Sequence, residues 1–230
     1  MKQITRGVFT IVIVALVACG GGERREGAVT PAPAAPGKPL TIKGSDTMVI
    51  LVQRLAEEYM KGHAGDLVQV TGGGSGTGIA AFINGTTDLA MASRPMKDDE
   101  KQKAAAARGA EVVERPVALD SLAVFVHEAN PVAQLTLAQI RDIFQGKATN
   151  WKQVGGGDAP IVLYGRESSS GTYDYFREHV LNKEDFSPRV QTLQGTTAII
   201  NAISKDKNGI GYGGIAYAKE IGRASCRERV

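Results

Sequence analysis

This 230-residue sequence predicts an α/β protein, with strands and helices in layers and largely parallel pairing. Two observations carry that expectation. From about Leu40 onward, short apolar runs of strand length alternate with segments of helical period. Three of those strands are followed by a Gly/Ser/Thr turn and then by a helical segment. No internal repeat is present.

The elements follow in order. Leu40–Lys43 reads as a strand, and Val49, Val52, Leu55, Ala56 and Tyr59 place one apolar stripe on a helix over residues 47–61. Leu67–Thr71 is a strand, Gly72–Gly78 a loop, and Ile79–Asn84 a short helix. Asp88–Ala92 is a strand; Asp98–Arg108 is an alanine-rich helix whose acidic first turn suits the positive end of the helix dipole. Glu111–Glu114 and Leu119–His127 are further strands, the second strongly apolar. Thr136 opens a helix over Leu137–Gln145. Ile161–Tyr164 and Ile210–Tyr212 are strands, with a helix over Ala198–Lys205. Between them Tyr173, Phe176, Val180 and Leu181 have helical spacing, so Ser170-Gly171-Thr172 opens a helix.

The two ends are expected to lie outside the fold. Lys2 and Arg6 precede an apolar run, Val8–Ala18, shorter than the roughly 20 residues that span a bilayer. Leu16-Val17-Ala18-Cys19 resembles a lipoprotein cleavage box, which makes residues 1–18 a signal peptide and Cys19 the lipidated N-terminus. Residues 19–39, rich in Gly, Ala and Pro, read as a flexible tether from a membrane. Residues 221–230 turn abruptly to arginine with no apolar period and read as a non-native tail on a C-terminally truncated fragment. No disulfide between Cys19 and Cys226 is expected.

These exclusions change the charge. Setting aside Lys2, Arg6, Arg223, Arg227 and Arg229 from the 27 basic residues, and Glu228 from the 24 acidic ones, leaves 22 against 23. The mature part is therefore near −1 and offers no bulk positive field for nucleic acid. Any anion site must be local.

The three strand–turn–helix sites are Lys43-Gly-Ser-Asp-Thr-Met48, Thr71-Gly-Gly-Gly-Ser-Gly-Thr-Gly78 and Arg166-Glu-Ser-Ser-Ser-Gly-Thr172. Each sets hydroxyls and unpaired backbone N–H groups at a helix N-terminus, where the dipole favours an anion. Arg166 adds a fixed cation. Several such ends converging on one tetrahedral oxyanion is the functional expectation. Asp46 has two readings, an N-cap or an inward-facing carboxylate.

Other chemistries fit poorly. Residues 72–78 lack the Lys-Ser/Thr of a nucleotide phosphate loop, match G-x-G-x-x-G in no frame, and contain no G-x-S-x-G elbow. His63, His127 and His179 have no partner motifs, and Asp98-Asp99-Glu100 reads as a helix first turn. No His, Cys or carboxylate cluster has metal-ligand spacing, and no cofactor is expected. A secreted phosphate-ester hydrolase using Ser170 as nucleophile is the remote enzymatic alternative.

Gly44-Ser-Asp-Thr-Met48, Gly72–Gly78, Asp88–Pro95, Leu135–Gly146 with Asn150-Trp151, Arg166–Thr172 and Gly209–Tyr212, in that order, resemble the phosphate-binding proteins of bacterial ABC phosphate transporters. The resemblance covers about Leu40 to Lys219. It implies a two-lobed periplasmic-binding-protein-like fold of type II with the ligand cleft between lobes. Lobe 1 would run over 40–117, its C-terminal return missing, and lobe 2 over 118–220. It further implies a monomer that hands inorganic phosphate to a membrane permease from a lipid-anchored position outside the cytoplasmic membrane. Carried residue by residue, the ligand contacts are Ser45, Asp46 and Thr47; Ser75; Ser93 or Arg94; and Arg166, Ser170, Gly171 and Thr172. Some members carry an aspartate where Ser93 stands, which excludes sulfate by charge repulsion. Here only Asp46 could take that part, and Arg94 next door could instead add positive charge, so sulfate remains the alternative ligand.

Overall fold

A computed structural model of the chain describes residues 37–217 and the backbone of residues 224–229. The signal peptide, Cys19 and most of the expected tether lie outside the described residues.

Two sheets organise the fold. In the first, β1 (Leu40–Gly44) lies between β2 (Val68–Thr71) and β3 (Leu89–Met91), all parallel. The parallel connections pass through α1 (Val49–Gly62) and α2 (Ser75–Ile83), and α3 (Asp98–Arg108) follows β3. The second sheet has the order β6-β5-β7-β4-β8. Its strands are β4 (Leu122–His127), β5 (Val162–Arg166), β6 (Gln191–Leu193), β7 (Gly209–Gly214) and β8 (Ala224–Arg229). Three helices accompany it: α4 (Leu137–Phe144), α5 (Gly171–His179) and α6 (Thr196–Ile203). Helix-covered sheets in two lobes are the predicted architecture.

Five local differences from the sequence reading have physical causes. Helix α2 starts at Ser75, inside the expected loop. Its glycines are poor helix formers, but a Cβ on Gly78 would lie 2.3 Å from the Lys43 carbonyl, so glycine there lets α2 lie flat on β1. The Glu111–Glu114 segment is not a strand. Side chains anchor it: Val112 packs beside the first-lobe core and Glu114 Oε1 accepts the Met96 N–H at 2.8 Å. Strand β4 pairs antiparallel with β7, because it arrives straight from the first lobe and no helical crossover sets its direction. Strand β6 is three residues long and half exposed, too short for a periodic signal. Finally, Ala224–Arg229, within the expected tail, runs antiparallel along β4 as β8. A strand as apolar as β4 otherwise presents unpaired N–H and C=O groups at its edge.

The second sheet carries apolar clusters on both faces. Phe144, Trp151, Phe176, Leu181 and Tyr212 fill one face, and Phe125, Ile199, Ile200 and Ile203 fill the other. Ile50 of α1 packs against the latter cluster, so the two lobes touch through apolar as well as polar groups. The first lobe has a smaller core of Ile79, Met96 and Ala104, while Leu51, Leu55 and Tyr59 on α1 are exposed.

Candidate functional site

The turn after β1 settles the two readings of Asp46. Helix α1 begins at Val49 behind Met48, whose side chain makes no cap, and the turn closes through backbone bonds from Met48 N–H to Ser45 O and Val49 N–H to Asp46 O. The Asp46 carboxylate is thus free to face inward. Its Oδ1 accepts the Gly73 N–H at 2.8 Å and its Oδ2 accepts from Arg166 Nη2 at 2.9 Å. Ser45 is buried, and the Thr47 and Thr172 hydroxyls meet at 2.8 Å.

The second turn places Ser75 at the first position of α2 with no solvent exposure. Its Oγ accepts the Ser93 N–H at 3.0 Å and lies 3.3 Å from Ser93 Oγ. Gly74 precedes the helix at φ 91°, a left-handed conformation that favours glycine, and a Cβ there would sit 2.7 Å from Ser169 Oγ. That closeness lets Gly76 N–H donate to the Ser169 carbonyl of the other lobe at 2.8 Å.

The third turn supplies the cation. Arg166 ends β5 and is 2% exposed. Its Nε and Nη2 reach the Glu167 carboxylate at 3.1 and 2.8 Å, Nη2 also reaches Asp46, and Nη1 donates to Thr196 Oγ1 at 3.0 Å. One cation thus faces two carboxylates, and the group as a whole carries no positive charge. Ser170 caps α5, its Oγ accepting from Thr172 and Tyr173 N–H at 3.2 and 3.3 Å. Gly171 comes so close to the first lobe that a Cβ would stand 2.5 Å from Ser75 Oγ and 2.6 Å from Ser93 Oγ. Behind the arginine, Tyr212 accepts its backbone N–H at 3.4 Å, and burial pushes that phenol well above the usual tyrosine range.

Nine of the ten expected contact residues therefore gather where the lobes meet: Ser45, Asp46, Thr47, Ser75, Ser93, Arg166, Ser170, Gly171 and Thr172. Arg94 also reaches the second lobe, but beside this cluster and not within it. Its guanidinium grips Glu100 with two bonds of 2.8 Å and lies 2.9 Å from Asp174 Oδ2 through Nε. Of the two candidates at that turn, Ser93 is the one directed at the cluster. The hydrogen bonding of Glu100 to Arg94 holds this carboxyl below, and the guanidinium above, their ordinary values.

Three residues at the cluster escaped the sequence reading. Glu167 lay inside the quoted motif but has no pattern of its own. Tyr217, whose hydroxyl donates to the Asp46 carbonyl, follows a strand and has no motif around it. Thr196 had a usable signal: β6, Gly195 and α6 repeat the strand–turn–helix design a fourth time.

The histidines act elsewhere. His63 bonds to the Tyr59 carbonyl, His127 accepts the Ala129 N–H, and His179 packs on Tyr175. Among the described residues no group of His, Cys, Asp or Glu is arranged to hold a metal ion. The arrangement brings hydroxyls, one shared guanidinium and an acceptor carboxylate together across the two lobes.

A family model described as a PBP superfamily domain matches residues 29–225. The chain belongs to the PBP superfamily. A solved Clostridium perfringens protein, described as a candidate phosphate ABC transporter substrate-binding protein with bound phosphate, is similar at 34% identity and a TM-score of 0.76, covering 83% of this chain and 75% of that one. An ABC-type phosphate transport receptor from Vibrio cholerae is similar at 29% identity and a TM-score of 0.61, covering 82% and 75%. Among curated proteins, a phosphate-binding protein PstS of Pseudomonas aeruginosa is 39% identical over 77% of this chain. One of Staphylococcus epidermidis is 36% identical over 90% of it. Within the superfamily the chain belongs with the phosphate ABC transporter substrate-binding proteins. It spans 59% and 62% of the lengths of those two curated relatives.

Proposed function

We propose that this protein binds inorganic phosphate outside the cytoplasmic membrane and delivers it to an ABC permease, with no bond chemistry of its own. The observation that carries this reading is the interlobe cluster itself. Asp46 and Thr47 of one lobe hydrogen-bond to Arg166 and Thr172 of the other, and Ser75 and Ser93 lie close against Gly171. A ligand seated among them contacts both lobes at once and stabilises the closed form, as in hinge-closing binding proteins. The names of the relatives point the same way.

The charge balance favours a ligand that is both donor and acceptor. A carboxylate has about four lone-pair sites, and the two named partners of Asp46 leave capacity for a proton brought by the ligand. Phosphate carries such a proton at neutral pH and sulfate does not. For sulfate, which brings no proton, the same carboxylate is a like charge at contact range, which is unfavourable in a desolvated site. The remaining oxygens take hydrogen bonds from the hydroxyls and from the second Nη1 N–H of Arg166, its other N–H groups being directed at Glu167, Asp46 and Thr196.

The ligand contacts are thus Ser45, Asp46, Thr47, Ser75, Ser93, Arg166, Ser170, Gly171 and Thr172. The serines serve as donors, acceptors and caps, and no described histidine bonds to one. We further read the protein as a monomer held to a membrane through lipid on Cys19, with a lobe boundary near residues 117 and 118. Titration calorimetry of the chain with phosphate and with sulfate at pH 7 tests the central claim. Phosphate is expected to bind far more tightly; tighter binding of sulfate overturns it.

A further inference from the structure

We propose that Arg94 and Asp174 form a latch that holds the two lobes shut, so that both set phosphate affinity without touching phosphate. The proposal rests on the phosphate-binding reading for its effect on affinity, but not for the latch itself.

Arg94 follows β3 in the first lobe, and its side chain is only 9% exposed despite its charge. A buried guanidinium needs compensation, and Glu100 at the start of α3 supplies it through both carboxylate oxygens. That pair lies within one lobe and fixes where the fork points. The remaining edge faces Asp174 in the first turn of α5, with Nε 2.9 Å from Oδ2 in an ion pair whose N–H is not aligned on that oxygen. Lys97 Nζ lies 3.7 Å from the same oxygen. Two cations of the first lobe therefore converge on one carboxylate of the second, and Asp174 keeps 28% exposure, so water reaches the contact when it parts.

The placement matters more than the pair. Helix α5 begins at Gly171, against Ser75 and Ser93, and Asp174 lies three residues further along the same helix. A charge clasp there pulls the helix N-terminus toward the first lobe. Separation breaks the Arg94–Asp174 contact, the Gly76–Ser169 backbone bond and the Thr47–Thr172 contact together. Latch and ligand thus act on one opening equilibrium, and strengthening either favours the closed form.

Hydrogen exchange at the Gly76 amide reads that opening without any ligand, because its acceptor is across the cleft. The Val52 amide, bonded to Met48 inside α1, serves as the internal reference. Asp174→Asn and Arg94→Gln are each expected to speed Gly76 exchange by about tenfold while leaving Val52 unchanged. The double variant should be no faster than Asp174→Asn alone, since that substitution already removes the carboxylate that both Arg94 and Lys97 reach. Raising ionic strength should speed Gly76 exchange in the unsubstituted chain and much less in the variants. Phosphate calorimetry on the same proteins should show both single variants weakened by a similar factor. Unchanged Gly76 exchange in both variants overturns the latch. So does an Arg94→Gln loss of phosphate affinity that Asp174→Asn does not share, which would make Arg94 a direct ligand. If the unsubstituted chain binds no phosphate, the functional reading fails while the exchange result still decides the latch.

Discussion

Substituting Gly171 by alanine separates ligand capture from folding. Gly171 occupies the first position of α5 and does not use a positive φ, so its backbone accepts an alanine. Alanine also favours the helix by up to about 1 kcal/mol and restricts the unfolded chain. The methyl group, however, would stand 2.5 Å from Ser75 Oγ and 2.6 Å from Ser93 Oγ, where ordinary contacts begin at 3.4 Å. Neither hydroxyl retreats freely, because Ser75 Oγ already accepts the Ser93 N–H at 3.0 Å. The overlap, roughly 0.8 to 0.9 Å on each side, is relieved most easily by parting the lobes. Overpacking of this kind costs about 1–3 kcal/mol. Charged against closure, that weakens phosphate binding about 5- to 150-fold. Calorimetry gives the affinity, and thermal unfolding without ligand gives the stability. The expected pattern is weaker binding with a melting temperature unchanged or raised by a few degrees. Affinity within twofold of the unsubstituted chain would refute the claim that Gly171 is a point of closest approach between lobes.

Arg166→Gln leaves Asp46 and Glu167 facing each other without their shared cation, so urea unfolding should show a loss of about 3 kcal/mol, with phosphate binding abolished; a loss below about 1 kcal/mol would contradict the pairing. Glu100 has a depressed folded value, so its contribution is present above its unfolded value near about 4.3 and disappears as pH falls through the folded value. Glu100→Gln should therefore destabilise most at neutral pH, with the difference shrinking below about pH 4. A gap that stays constant with pH would disprove the charge origin. Phe176, wholly buried between Phe144 and Tyr212, should cost about 3–5 kcal/mol as alanine. Phosphate affinity per folded molecule should hold, since the side chain lies in the second-lobe core.

The elements that define the site were legible because their signals are local. Thr136 accepts from Gln139 N–H as the expected cap of α4, and Ser170 caps α5 just after the strand that ends in Arg166. The three turns could be read as anion sites from hydroxyls and glycines alone. Three-dimensional pairing was not local. Nothing adjacent to Asp46 reveals that Arg166, 120 residues later, will hold it, and this pairing is what excludes the N-cap reading. Arg94 shows the converse limit. Its neighbour Ser93 does face the site, but the fork swings outward because Glu100 stands two bonds deep beside it. Helix α2 began early for a similar reason: sequence counts Gly78 against a helix, whereas packing on β1 demands it.

The partnered state of Arg166 has a consequence for what the protein ignores. Fluids outside a cell contain chloride in great excess over scarce nutrients. A lone buried guanidinium would attract any small anion and fill with the commonest one. Here Glu167 and Asp46 have already cancelled that attraction, and Thr196 holds the fork in place. A spherical halide brings no proton for Asp46 and cannot satisfy donors pointing from both lobes. On the proposed reading, occupancy should therefore follow the supply of the rare ligand instead of the salinity around it.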